Sequence, residues 1–264
     1  MNIAFYNDLS YGQLICLYAC GGAVIMYSSF FLLRKICPSM IIQEVDSDFI
    51  SGLHAAIFTI TFLTLGYCLT NASETISQYQ QNVTEEASEI QSLDNLLLMY
   101  EKKEVNPLRQ ELFEYSKSIT TQEWPLLANR TGSPSTEAIQ KNLRSHIAKL
   151  NPTSGKELVI YSEMLETLNK IVQARLTRIT NSKGSLTPQF MLTSNIGFLC
   201  VLIISALMLT QFTWFRFISL NIQIVTISFI FATTIVLDNP FRGSDQISAE
   251  PIEIVNNSIK SSLR

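Results

Sequence analysis

Residues 52–97 read GLHAAIFTITFLTLGYCLTNASETISQYQQNVTEEASEIQSLDNLL, and the reading of this stretch decides the fold. From Gly52 to Asn71 twenty residues pass without an Asp, Glu, Lys or Arg. That is about the length needed to cross a hydrocarbon core of about 30 Å. Beyond Asn71 the pattern changes with no helix breaker: Ile76, Val83, Ile90 and Leu97 recur every seventh residue, with Tyr79, Ala87 and Leu93 between them. Such spacing puts one apolar face on a helix. The stretch predicts a single long helix that begins among lipids and ends in water.

Outward from this stretch, three more runs lack acidic and basic side chains: Gly12 to Leu33, Phe190 to Phe212 and Phe217 to Leu237. In lipid every backbone polar group needs an internal partner, so spans of this length are helices unless the chain closes a barrel. Barrel strands would alternate over about ten residues, and these runs do not. The chain is 47% apolar and only 16% charged, against about 25% charged in soluble domains. The expected class is an all-α polytopic membrane protein: four transmembrane helices with an extramembrane helical bundle between spans two and three. The expected division is residues 1–71 for spans one and two and 72–189 for the bundle, whose first helix continues span two. Residues 190–237 then hold spans three and four, and 238–264 a turn and tail.

The first run follows Asp8 rather than a basic region and lacks a small-x-small cleavage site, so it reads as a retained span and not a signal peptide. A net charge of -3 argues against a nucleic-acid partner. The five cysteines, Cys16, Cys20, Cys37, Cys68 and Cys200, form no CxxC pair and no metal-ligand spacing. They read as reduced filler, and no cofactor or metal is expected. There is no nucleophile elbow, HExxH or P-loop, and His54 and His146 are the only histidines available as bases. No enzyme is expected.

Arg34-Lys35 after span one and Arg216 between spans three and four contrast with residues 1–11, which carry no Lys or Arg. The positive-inside rule then puts residues 34–51 in the cytoplasm and residues 72–189 outside, with Arg175, Arg178 and Lys183 pulling the other way. Span two carries a stripe of small or weakly polar residues: Gly52, Ala56, Thr59, Leu63, Gly66, Thr70 and Ser73. Such a face lets helix backbones approach closely in lipid, and it would equally line a narrow pore. The candidate pore-lining positions are Thr59, Phe62, Gly66, Leu69, Thr70, Ser73 and Ile76. His54 reads as a hydrogen-bonded or interfacial side chain.

The extramembrane region reads as helical throughout. Pro107 opens a segment with Leu108, Leu112, Tyr115 and Ile119 on one face, closing at Trp124-Pro125. Ser133-Pro134 fits N-cap and N1 of the next, with Ile139, Leu143, Ile147 and Leu150 inward. Ser154-Gly-Lys-Glu157 is a capping box that starts a helix with the stripe Leu158, Tyr161, Leu165, Leu168, Val172 and Ile179. These helices would bury their stripes as a bundle. Residues 72–123 hold ten acidic and four basic side chains, while 124–189 hold four acidic and nine basic. The two halves are therefore expected to pair, within a chain or between subunits. A charged vestibule and solvated faces with weak surface pairs are the alternatives. After the last span, Asp238-Asn-Pro240-Phe241-Arg-Gly243 reads as a corner.

Several of these residues, in this order, resemble the bestrophin-like family of four-span membrane proteins. The matching pieces are Arg34-Lys35, the glycine-led second span, Glu85-Glu86-Ala87, Glu123-Trp124-Pro125, the Arg175 and Arg178 pair, and Pro188 before span three. Asp238-x-Pro240-Phe241-x-Gly243, Ile247-Ser248 and Glu250-Pro251 complete the match. The resemblance implies a more distant similarity to bestrophins, pentameric anion channels whose second span lines the pore and runs on as a long helix. By that analogy Phe62, Leu69 and Ile76 would form a hydrophobic constriction. The implied partners are the lipid bilayer, further copies of the chain (a pentamer by analogy) and small anions. The expected location is a bacterial inner membrane with the helical domain leaning outward. An ion channel is the leading function, and a non-conducting scaffold or signalling protein whose helical domain binds a partner is the alternative.

Overall fold

The computed structural model describes residues 10–36, 44–100, 105–184, 188–209, 213–242 and 247–263. Among them the 52–97 stretch lies within one α-helix, α2, running from Glu44 to Met99. No proline and no glycine pair interrupts it, so the backbone ladder has no reason to break. The other helices are α1 (Tyr11–Ile36), α3 (Val105–Ser118), a π-helical turn (Ile119–Glu123), α4 (Trp124–Leu127), α5 (Pro134–Ile147) and α6 (Gly155–Asn181). They are followed by α7 (Pro188–Met208), α8 (Trp214–Leu237) and α9 (Glu250–Ser262). The described residues contain no strand. Four of the helices are long and apolar enough to cross a membrane: Tyr11–Ile36, Asp48–Met99, Gln189–Met208 and Trp214–Leu237. The chain divides into two units, Met1–Glu74 with Ser185–Asp238, and Thr75–Gly184 with Asn239–Arg264.

The first unit holds the apolar helices. α1 packs against α7 and α8, around Met26, Leu202, Ala206, Ile224 and Phe231. Gly22 makes the close approach possible, because a Cβ there would meet Phe198 Cζ at 3.0 Å and Ile224 Cγ2 at 3.1 Å. Gly197 on α7 does the same for α2, where Thr61 Oγ1 lies 2.7 Å from the position a Cβ would take. Small residues at such crossings let dispersion act where no hydrophobic drive exists between helix and lipid. Polar groups pair internally: Tyr11 with Thr233 Oγ1 at 2.7 Å, Tyr27 with Asn221, and His54 Nε2 with Ser205 Oγ at 3.0 Å. Val24, Phe31, Ile60, Leu63 and Phe215 remain exposed, as lipid-facing side chains should.

The second unit is a helical bundle. Val83, Ala87, Ile90, Leu93 and Leu97 of α2 are buried together with Leu112, Tyr115 and Ile119 of the α3 segment, and with Leu143, Met164, Leu168 and Ile171. Ser133 Oγ accepts from Thr136 N, and Ser154 Oγ accepts from Glu157 N, so both proposed N-caps form. The Glu157 carboxylate reaches back to Thr153 N at 2.7 Å, one residue earlier than the usual capping box. α9 docks through Ile252 and Ile259, and Asn256 Nδ2 donates to Phe113 O and Ser116 Oγ.

Three local expectations are corrected. The helix does not stop at Trp124-Pro125, since α4 carries it on to Leu127. The wider π turn over Ile119–Glu123 removes both the need for a proline N–H and the clash of its ring with a carbonyl one turn back. The buried face of α6 is Ile160, Met164, Thr167, Leu168, Ile171, Arg175 and Arg178, while Leu158 is 58% exposed. Of the expected stripe Leu168 lies in the core and Tyr161, Leu165 and Ile179 pack against it, but two paired arginines, Arg175 and Arg178, share the buried face and Leu158 falls off it. α5 closes at Ile147, three residues short of Leu150.

Candidate functional site

Two constellations stand out, one in each unit. In the first, α2 buries His54, Thr61, Leu65, Cys68 and Ala72. The candidate pore-lining residues lie off that face. Thr59, Phe62, Thr70 and Ser73 are exposed, and Gly66 and Leu69 are half-buried. Thr59 Oγ1 donates to Ala55 O at 2.7 Å and Thr70 Oγ1 donates to Gly66 O at 3.1 Å. Phe62 stacks on Phe58 with centroids 5.9 Å apart. A Cβ built on Gly66 meets nothing within 4 Å. Ile76, in the second unit, is half-buried. At 3.6 residues per turn, Thr59, Phe62, Gly66, Leu69 and Ser73 follow one stripe, about a quarter turn around the helix from the Thr61–Leu65–Cys68–Ala72 stripe.

In the second unit a buried ionic cluster gathers residues far apart in sequence. Arg178 Nε donates to Glu86 Oε2 at 2.7 Å and its Nη2 to Glu86 Oε1 at 3.1 Å. The same Nη2 lies 3.0 Å from Glu123 Oε1. Arg175 Nε donates to both Glu123 oxygens, at 3.1 and 3.0 Å. Ser133 N donates to Glu123 Oε2 at 3.0 Å, and Arg175 Nη2 to Ser133 O at 3.2 Å. Arg178 is 1% exposed and Glu86 and Glu123 are 0% exposed. Two carboxylates thus neutralise two guanidiniums, which is the condition for burying charge at all. Burial works against the charged form of Arg178, but Glu86 first and Glu123 after it outweigh burial and hold the guanidinium above its usual range. The phenol of Tyr115, buried and next to Glu86, is pushed well above the ordinary tyrosine value, and its oxygen accepts from Gln140 Nε2 at 3.0 Å. Arg178 Nη1 is buried with no hydrogen-bond partner among the described residues.

This cluster joins the sequence motifs. Arg178 stacks over Trp124 at 5.4 Å, a cation–π contact. Trp124 in turn meets Phe241 edge-on, at 5.5 Å and 81°. Glu123-Trp124 and Phe241, all in the second unit, are therefore parts of one structural assembly. Pro125 is exposed and Pro240 buried, with Pro240 O accepting from Ile247 N at 2.8 Å. Asp238 follows α8 as its C-cap residue. Gly243 lies outside the described residues, as does Cys37. The expected pairing of acidic and basic halves occurs within the chain: Glu86 and Glu123 with the two arginines, and Glu111 with His146 Nδ1 at 2.8 Å.

Sequence reasoning missed Glu86 as a member of this cluster and missed a second, separate buried pair, Asp94 with Arg109. Arg109 Nε donates to Asp94 Oδ1 at 2.7 Å, and its Nη2 contacts Ser262 Oγ of α9. The signal was present, because Glu86 and Asp94 fall on the same face as Val83, Ile90 and Leu97.

These features define an all-helical integral membrane protein with an extramembrane helical unit. The chain belongs to the family described by the Bestrophin-like domain, whose model matches residues 21–252. Its fold is similar to that of a crystal structure described as a membrane protein, with a TM-score of 0.68, 12% identity, and coverage of 94% of this chain and 97% of that one. It is also similar to a bacterial bestrophin homologue from Klebsiella pneumoniae, with a TM-score of 0.65, 13% identity, and coverage of 94% and 97%. A second structure of that homologue gives 0.63 and 14%, covering 94% and 98%. At such identities the likeness is one of fold. No curated protein matches the chain.

Proposed function

We propose that the chain is an oligomeric ion channel, five copies by analogy with bestrophins, in which α2 lines the passage. One observation carries this reading. Within its own unit α2 is buried on its His54–Ala72 face, whereas on the small-residue stripe Thr59 and Thr70 are exposed and Gly66 is half-buried. Small residues in a span serve close approach of another helix or a narrow wetted passage, and a ring of copies provides both. Phe62, Leu69 and Ile76 would supply the apolar constriction. Family resemblance brings small anions as the expected cargo and a bacterial inner membrane as the site. The basic residues Arg34, Lys35 and Arg216 favour a helical unit on the outer side.

The test is current through planar bilayers holding the purified full chain. Conductance is expected, and Gly66→Phe is expected to abolish most of it. Silence across salts and pH would refute the reading. A non-conducting scaffold is the second reading, favoured by Leu158, Val159 and Leu176 exposed on α6 outside the spans. Silent bilayers together with a partner crosslinked to that face would support it.

A further inference from the structure

We infer that the cleft between α5 and α6 binds a small amphipathic anion, an organic carboxylate with a short apolar tail; the inference does not depend on the channel reading.

The cleft lies wholly within the second unit and has a volume of about 450 Å³. That falls within the range of about 300–1,000 Å³ for small-molecule sites and is far more than a bare inorganic ion fills. Its two walls differ in chemistry. Glu137, Gln140, Lys141 and Arg144 of α5 form one wall, at the i, i+3, i+4, i+7 spacing that places side chains on one helix face. Val172, Arg175, Leu176 and Ile179 of α6 form the other at the same spacing. The first wall is polar throughout, and the second is apolar except for Arg175. Leu176 is 64% exposed and Val172 and Ile179 are half-buried, so this apolar wall still has surface to withdraw from water.

The sign of the ligand follows from which groups already have partners. Glu137 holds Lys141 at 2.6 Å across one turn of α5, with side chains 48% and 73% exposed. A pair so exposed contributes little, and the flexible ammonium has further protons to share with a ligand. Arg144 is exposed and makes no ion pair among the described residues. Arg175 is 7% exposed, and a guanidinium carries five N–H donors. Its Nε is taken by Glu123, and its Nη2 by Glu123 and Ser133 O. Nη1 reaches only Gln140 Oε1, at 3.5 Å, which leaves one of its protons without a protein acceptor among the described residues. Gly132 keeps the space beside this arginine open: a Cβ there would lie 2.7 Å from Ile179 Cδ1 and 3.5 Å from Arg175 Nη2. The carboxylates are spoken for. Glu137 is answered by Lys141, and Glu123 accepts from Ser133 N and from both arginines. What the cleft has to spare is donors and positive charge beside an apolar wall. A ligand carboxylate fits the first and its hydrocarbon the second.

The test is isothermal titration calorimetry of the full chain in detergent, with butanoate, hexanoate and hexylammonium as probes. Hexanoate is expected to bind saturably, about tenfold more tightly than butanoate for the two added methylenes, and hexylammonium not at all. Arg144→Gln removes a unit charge from an exposed position and should weaken hexanoate about fivefold. Leu176→Ser should shrink the gain from butanoate to hexanoate. Both positions are exposed, so both variants should keep the parent unfolding midpoint, which separates a lost site from a lost fold. Heat that never saturates, or hexanoate affinity unchanged in either variant, overturns the inference. Equal affinity for butanoate and hexanoate, or hexylammonium binding as tightly as hexanoate, overturns it as well.

Discussion

Replacing Glu86 by glutamine removes one of the two negative charges that face Arg178 without changing side-chain volume. Arg178 is 1% exposed and touches Glu86 at 2.7 and 3.1 Å and Glu123 at 3.0 Å. In the variant Glu123 alone answers two buried guanidiniums, leaving a net positive charge inside the second unit. Breaking a buried pair from one side costs about 3–5 kcal/mol. The glutamine oxygen still accepts one hydrogen bond, which returns about 1 kcal/mol. The net loss is thus about 2–4 kcal/mol, an expected fall of about 5–15 °C in the unfolding midpoint for a unit of this size. The assay is thermal unfolding of the full chain in detergent, followed by far-ultraviolet circular dichroism. Combining Glu86→Leu with Arg178→Met removes both charges and is expected to restore more than half the loss, since an unpaired buried charge costs more than an absent pair. A midpoint within about 1 °C of the parent for Glu86→Gln, or a double variant worse than the single, would refute the reasoning.

Four further outcomes follow from other parts of the structure. Gly197→Ala drives a methyl into Thr61, 2.7 Å from its Oγ1, and should cost about 1–3 kcal/mol of thermal stability in detergent; Thr61→Ala in the same chain should recover most of it. Gly66→Ala meets nothing within 4 Å and should leave the unfolding midpoint unchanged while altering conductance. Arg109→Met strands Asp94 and frees Ser262 of α9, so limited proteolysis should cut the C-terminal segment earlier than in the parent. Tyr115 has its phenol raised by burial first and by Glu86 second. Its folded value lies above the unfolded one, so its contribution is complete below about pH 10 and is lost as pH rises beyond that. The unfolding midpoint should fall in strong alkali, and Tyr115→Phe should flatten part of that fall.

Heptad spacing through Ile76, Val83, Ile90 and Leu97 was enough to show that α2 outlasts its apolar run, because backbone regularity and apolar period are both local properties. The ionic cluster was less legible. Glu86 and Asp94 share the stripe of Val83 and Leu97, but a rule that sends charge outward discards them unless their partners are known. Those partners, Arg178 and Arg109, sit 92 and 15 positions away. The same rule misplaces part of the inner face of α6, where the expected stripe includes Leu158 and leaves out Arg175 and Arg178. Pro125 misled in another way: its effect on a helix depends on the turn before it, and a π turn is invisible to residue periodicity. For the spans, composition identifies helices that cross lipid, but a threonine facing a neighbouring copy, a passage or lipid has the same sequence signature. That is why the stripe from Thr59 to Ser73 required the covered face of α2 to be known first.

The central claim is that copies of this chain surround an axis with α2 innermost. A single-particle image of the detergent-solubilised protein tests it most directly. The account predicts rotational symmetry with Thr59, Gly66 and Thr70 turned toward a continuous axial passage. A particle in which that stripe faces the detergent belt, with no passage at its centre, would contradict it.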